Sequence, residues 1–283
     1  MKLSAFIPCY NQYGYLDKVI HSILEQEVIF DEILIIDDGS KSFDNSVCFL
    51  EKYSIKVNLI RHECNKGRGY CRAFAVNNLD AQLVLMVDAS NLLPPNFVKN
   101  AISNFSDPMV SAVSGLIHND PQIDKFTSQW RGRHLFKQNY NFGTTVHESK
   151  SLTTYGTILR RSAVLEVGNF NPKLVHSEDK ELGNRLLKAG YKIIGDPNLT
   201  VYSIKKDTLF SVLERYWRWY GGTGEKFTLK DYWHAIKASF RPMMQDDIRA
   251  NDWRSAFISF LCPHYGYIRH LYRKFTGKLQ KID

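Results

Sequence analysis

Apolar and polar positions in the first half of the chain alternate between two patterns. Short segments at residues 3–7, 32–36, 56–60 and 83–87 read as strands, 32–36 as a buried one and the continuous apolar run 83–87 as one buried on both faces of a sheet. Between them lie stretches with helical spacing. Over residues 15–26, Leu16, Val19, Ile20, Ile23 and Leu24 recur at intervals that place them on one face. Further helices are predicted over 43–52 and over 65–79, the latter opened by a glycine-bearing turn. Strand and helix alternating at this spacing predict parallel strands joined by right-handed crossovers, an α/β sheet of the nucleotide-binding kind.

The pattern then loosens. Residues 110–117 predict one more strand, whereas 118–151 are polar and aromatic, with Trp130, Arg131, Arg133, His134 and Tyr140. So long and weakly patterned a segment predicts a functional loop or a mobile lid. Ser162 can cap a short helix over 163–167 that stops at Gly168. Residues 178–189 predict a helix with Leu182, Leu186 and Leu187 inward, ended by Gly190. From Thr208 onward the chain is mostly helical and rich in Trp, Tyr, Arg and Lys. The expected division is an α/β domain over 1–220 and a helical extension over 221–283.

Composition narrows the class. With 44% hydrophobic and 23% charged residues this is an ordinary globular chain. The first residues are too briefly apolar for a signal peptide, and no run approaches the roughly 20 apolar residues of a membrane span. Five cysteines without a CxxC pair predict a reducing, cytoplasmic setting and no zinc site. A net charge of +8 favours an anionic partner: nucleotide phosphates, anionic lipid or nucleic acid.

Carboxylates fall where elements end. Asp37 and Asp38 close the second strand, Asp88 closes the fourth, and Glu178 and Asp179 open a helix. Parallel strands share a carboxyl edge, so Asp38 and Asp88 are expected to look into one crevice. An acidic crevice in a basic protein suits a base-and-ribose pocket, or a metal holding a diphosphate, better than nucleic acid. Taken singly, each acid has a plainer reading. Asp88 can cap the helix that Pro95 opens, DDGS is a common turn, and Glu178-Asp179 can complement the positive end of their helix.

Together the motifs are more specific. IPCYN at 7–11, DDGS at 37–40, NKGRGYCRA at 65–73, VDAS at 87–90, RRSAVLEVGNF at 160–170 and SEDKELGNRL at 177–186 stand in an order and spacing that resembles the family-2 glycosyltransferases of GT-A fold. The resemblance covers residues 1 to about 220. It implies an inverting enzyme of polysaccharide biosynthesis that moves a sugar from a nucleotide diphosphate, UDP above all, to a hydroxyl of a glycan or lipid-linked acceptor. By resemblance, Pro8, Tyr10 and Asp38 hold base and ribose, and Arg72 lies beside the base. Asp88 is the first acid of the Asp-x-Asp signature, which holds metal and ribose. Asp179 is the catalytic base, Glu178 and His176 lie toward the acceptor, and RYWRW, with Arg215 and Arg218, forms an aromatic-basic wall near it. An inverting displacement needs one such carboxylate and no nucleophilic Ser or Cys.

Two departures bear on cofactors. Ser90 replaces the second acid of Asp-x-Asp, and the strand around Tyr202 lacks the metal-binding histidine often present in the family. Serine is a weak ligand for Mg²⁺ or Mn²⁺. Either Asp88, diphosphate and water hold the metal, or basic side chains neutralise the leaving group, with Arg160, Arg161, Lys205, Lys206, Arg215 and Arg218 as candidates. The departures also keep open a non-catalytic nucleotide-sugar or glycan-binding relative.

In the tail, Trp253, Phe257, Ile258, Phe260 and Leu261 precede Pro263, after which aromatic and basic residues interleave. Two readings stand side by side. One is a helix lying on an anionic inner-membrane surface; the other is a helix packed on the catalytic domain or on a second subunit of a homo-oligomer.

Overall fold

The computed structural model describes residues 1–41, 50, 53, 57–220 and 228–276. In chain order the elements are β1 (Leu3–Cys9), α1 (Tyr13–Leu24), β2 (Glu32–Asp37), β3 (Val57–Arg61), α2 (Arg68–Asn78), β4 (Leu83–Val87), β5 (Asn91–Leu92) and α3 (Phe97–Ile102). There follow β6 (Val110–Asn119), α4 (Phe126–His134), β7 (His147–Glu148), β8 (Gly156–Arg160), α5 (Arg161–Glu166), α6 (Glu178–Lys188) and β9 (Lys192–Ser203). The last helices are α7 (Leu209–Tyr220), α8 (Leu229–Ala238), α9 (Met244–Arg249) and α10 (Trp253–Thr276). The helix predicted over 43–52 lies almost wholly outside the described residues.

Packing divides the chain into two units: Met1–Asp120 with Asn141–Lys205, and Pro121–Tyr140 with Lys206–Asp283. The packing boundary therefore falls at Lys205 and not at residue 220. The reason is that α7 buries Val212, Leu213 and Trp217 among the helices of the second unit.

The first unit is built on a mixed sheet of order β3-β2-β1-β4-β8-β6-β9-β5, with β7 pairing to β9. The first four strands are mutually parallel, as their spacing predicted. β8 runs antiparallel between β4 and β6. On one face α2, α5 and α6 bury Val76, Val164, Leu182 and Leu186 against Phe6, Ile36, Val84 and Leu159. Each such side chain contributes about 1.5–3 kcal/mol by leaving water. Ser162 makes no cap, because α5 begins two residues earlier than predicted and Arg160 takes the cap position. Asp88 does not cap α3 either: that helix begins at Phe97 behind Asn96.

Two glycines fix the geometry around the carboxyl edge. Gly39 has a φ of +75°, and a Cβ there would lie 2.6 Å from the backbone carbon of Cys64. Gly69, on α2, lets the loop before α6 press close: a Cβ would meet the carbonyl oxygens of Asn171 at 2.3 Å and Leu174 at 2.5 Å. Neither carbonyl can swing aside as a side-chain tip could. Gly69→Ala is therefore expected to cost about 1–3 kcal/mol, read as a lowered Tm, and to displace the start of α6.

The expectation of a loop or lid over 118–151 holds only in part: residues 135–146 carry neither helix nor strand, but the segment also contains α4, in the second unit, and β7, in the first. Residues 126–134 form α4, with Trp130 and Arg131 both fully buried, and β7 pairs with β9. The Arg131 guanidinium bonds the buried Asp207 and lies over the Phe136 ring. The Trp130 indole N–H donates to Ser259 Oγ at 2.8 Å, and Ser259 Oγ donates to Asp247 at 2.5 Å. α10 runs unbroken through Pro263. Proline has no N–H for the carbonyl one turn back; the Ser239 hydroxyl donates to that carbonyl, Ser259 O, instead.

Candidate active site

β2, β1 and β4 lie side by side in parallel, so Asp38, Tyr10 and Asp88 leave the sheet along one edge. The strand order reverses between β1 and β4, and at such a point the loops diverge and leave a crevice.

The DDGS turn is held from within. Asp37, fully buried, accepts from the Ser40 N–H at 3.1 Å and from the Ser40 hydroxyl, and pairs with Arg61 at 3.3 Å. Ser40 Oγ accepts from the Asn11 N–H at 2.8 Å, which ties the IPCYN loop to the turn. Asp38 is also buried. Its oxygens accept from the backbone N–H groups of Lys66 and Gly67, each at 2.8 Å, and His62 Nδ1 lies 3.0 Å away. That clamp fixes the amino end of α2 to the end of β2. Cys71 Sγ stands 3.9 Å from the same His62 nitrogen, and burial pushes its thiol well above the ordinary range. Asp38, His62 and Cys71 are the one group of three or more ligand-type side chains clustered within 4.8 Å among the described residues. Because Asp38 already takes two backbone N–H bonds, we read the trio as a hydrogen-bonded clamp.

The carboxyl edge and the head of α6 meet at Arg72. Its side chain is 2% exposed; Nη1 bonds Glu178, itself 2% exposed, and Nη2 lies 3.5 Å from Asp88. Burial lowers the Arg72 pKa and Asp88 raises it; Arg68 and Asp179 also act on it through space. Arg72 and Glu178, 106 apart in the chain, are thus paired, and Asp88 shares the same cation. The family resemblance places Arg72 beside a base and Glu178 toward an acceptor; in the structure their side chains bond each other. The Asp88 side chain remains 39% exposed toward the crevice.

Asp179 follows Glu178 in the first turn of α6, a turn carrying three acids behind Ser177, which holds a left-handed φ of 61°. Asp179 Oδ1 accepts from the Lys180 N–H at 2.8 Å. Its other oxygen has no hydrogen-bond partner among the described residues, so a lone pair is open to an incoming proton. His176, Tyr10 and Pro8 are half-buried. Ser90 is buried, and its carbonyl accepts from the Ile204 N–H at 2.9 Å, where Asn91 pairs with Ser203.

The candidate cations separate by position. Arg160 pairs in register with Leu83, at the start of β4 and so at the edge opposite Asp88; its guanidinium binds the carbonyls of Val110, Phe105 and Asp107. Arg161 binds the carbonyls of Val76 and Asn77. Neither is available at the crevice, a consequence of β8 running antiparallel. Lys205 lies two residues past Ser203, at the same edge as Asp88. Arg215 and Arg218 belong to the second unit, where Arg215 lies 3.6 Å from Asp207.

Mg²⁺ or Mn²⁺ fits this donor set poorly. Asp88 is the one carboxylate at the end of β4, the Arg72 guanidinium already lies against it, and the neighbouring ligand position is a buried serine. Two cation claims on one carboxylate compete.

The family model "Glycosyl transferase family 2" matches residues 4–168. Among curated relatives, the O-antigen chain rhamnosyltransferase RfbN of Salmonella typhimurium is 28% identical over 206 residues, 68% of this chain and 63% of its own length. The chain thus spans under two-thirds of that relative. Among solved structures, a mannosyltransferase of Pyrobaculum calidifontis, in complex with GDP-Man and Mn²⁺, superposes with a TM-score of 0.64. It covers 98% of this chain and 88% of its own, at 15% identity. TarS 1-349 of S. aureus, in complex with UDP-GlcNAc, gives 0.58 at 17% identity and covers 99% of this chain and 77% of its own. At such identities the likeness shows the fold, a GT-A sheet flanked by helices.

Proposed function

Because the chain belongs to glycosyl transferase family 2, we propose that it transfers a sugar, with inversion, from a nucleoside diphosphate to a hydroxyl of a glycan or lipid-linked acceptor, with Asp179 as general base. The observation that carries this reading is the Arg72 bridge. One buried guanidinium holds Asp88, at the end of β4, and Glu178, at the head of α6 beside Asp179, which supports a donor edge and a base working in one crevice.

The chemistry then assigns roles. The acceptor O–H gives its proton to the free oxygen of Asp179 as the new O–C1 bond forms. The C1–O bond to the β-phosphate breaks on the opposite face, and its electron pair leaves with the nucleoside diphosphate. Asp88 meets the ribose, Tyr10 stacks on the base, and Asp38 shapes the base pocket through the loop it clamps. Arg72 and Lys205 lower the cost of the charge that grows on the leaving phosphate. A UDP-sugar is the favoured donor: the family resemblance assigns the uracil imide N–H to Asp38, where it would join the Lys66 and Gly67 N–H groups on the carboxylate.

A thermal-shift screen of UDP-, GDP- and dTDP-sugars, followed by a transfer assay with and without chelator, tests this. One nucleotide is expected to raise Tm selectively. Turnover in excess EDTA is expected to stay within about threefold, because a lone carboxylate shared with arginine holds metal weakly. Activity abolished by EDTA and restored by Mn²⁺ would overturn the metal-light mechanism. No stabilisation by any of the donors would overturn the function itself.

A further inference from the structure

Charge is divided sharply between the two units. The first carries 19 Lys and Arg against 20 Asp and Glu, a net −1. The second carries 18 against 9, a net +9, so it holds the whole excess. Among its exposed cations, Lys237, Arg241, Arg254 and Lys274 make no ion pair among the described residues.

The long helix of that unit faces outward with its large apolar side chains. Trp253, Phe257, Phe260, Ile268 and Phe275 recur at spacings that put them on one stripe, at about 100° per residue. All five are exposed, Phe275 by 83%. The opposite face buries small residues: Ser255, Ala256, Ser259 and Cys262. Water selects the reverse arrangement, and so long an exposed apolar stripe marks an interaction surface. It spans 23 residues, about 33 Å of helix. The surface continues onto the neighbouring segment, where Phe240 meets Phe260 edge-on at 5.9 Å and Trp233 is 61% exposed.

We propose that this face docks on an anionic lipid bilayer. The stripe would enter the interface while the flanking cations meet the headgroups. Charge decides against the other ready occupant, a second copy of the chain, because an isologous contact would bring two +9 surfaces together. Among the described residues no helix is long and apolar enough to cross a membrane.

The test is flotation of the full chain with vesicles of phosphatidylcholine, or of phosphatidylcholine with about one-third phosphatidylglycerol. The paired variant Phe257→Glu/Ile268→Glu is run alongside, its fold checked by circular dichroism; both positions are exposed and outside the proposed active site. Binding is expected to the anionic vesicles alone, to fall steeply with salt, and to weaken at least about tenfold in the variant. Equal binding of variant and wild type, or no binding by either, overturns the proposal. So does a dimer in sedimentation velocity that the substitutions dissolve without any vesicle binding. Sugar transfer to a soluble acceptor is scored separately, so a failure here leaves the transferase reading intact.

Discussion

Asp179→Asn is expected to lower turnover by about 10²–10⁴-fold, the range for loss of a general base, while donor affinity changes by no more than a few-fold. The substitution is nearly isosteric. An amide oxygen can still accept the Lys180 N–H bond that Asp179 Oδ1 takes at 2.8 Å, so the first turn of α6 keeps its shape. Glu178 and Arg72 are untouched, and the bridge that places the turn stays whole. What disappears is basicity at the one oxygen with no partner among the described residues. Titrating the donor by calorimetry and measuring kcat on the same preparations separates the outcomes. Unchanged turnover would mean that the base lies elsewhere. Loss of donor binding together with turnover would make Asp179 a positioning residue. Donor binding by the wild-type chain, with no transfer to any acceptor, would favour the non-catalytic relative that Ser90 kept open.

Much of the first unit was legible because β1, β2 and β4 are almost wholly buried and, with the half-exposed edge strand β3, run in parallel. Continuous apolar runs mark such strands, and parallel order places Asp38 and Asp88 on one edge without further information. Interactions that join distant residues through polar groups were not legible. α4 gave no helical period because its buried positions include Thr127, Ser128 and Arg131, which a hydrophobic pattern counts as surface. Arg160 and Arg161 looked like phosphate ligands until the antiparallel β8 carried Arg160 to the far edge. Asp38 is held by backbone N–H groups of Lys66 and Gly67, for which the glycine-bearing NKGRG turn was the only sign. The pairing of Arg72 with Glu178 had no local signal at all.

That pairing yields the largest effect expected on stability. Arg72→Met removes the cation from between Asp88 and Glu178, and Glu178 has no water to turn to, being 2% exposed at its side chain. Breaking a buried pair from one side costs about 3–5 kcal/mol, which in a domain of this size lowers Tm on the order of 10 °C. The deficit should depend on pH with a definite sign. Without Arg72, burial pushes the Glu178 carboxyl up; between its unfolded-state and its folded-state pKa the native form holds a proton that the unfolded form releases, and above the folded-state pKa it holds a bare buried charge. Stability then falls as pH rises, and the variant should recover as pH drops through that pKa. Adding Glu178→Gln removes the charge and should restore most of the loss at neutral pH, since a neutral amide carries no Born penalty. Scanning calorimetry of wild type, both single variants and the double variant, at neutral and mildly acidic pH, completes the cycle. A single Arg72→Met loss under about 1 kcal/mol, insensitive to pH, would mean that the two residues do not share a buried charge. In that case the head of α6, with Asp179 on it, would need another anchor to stand beside Asp88.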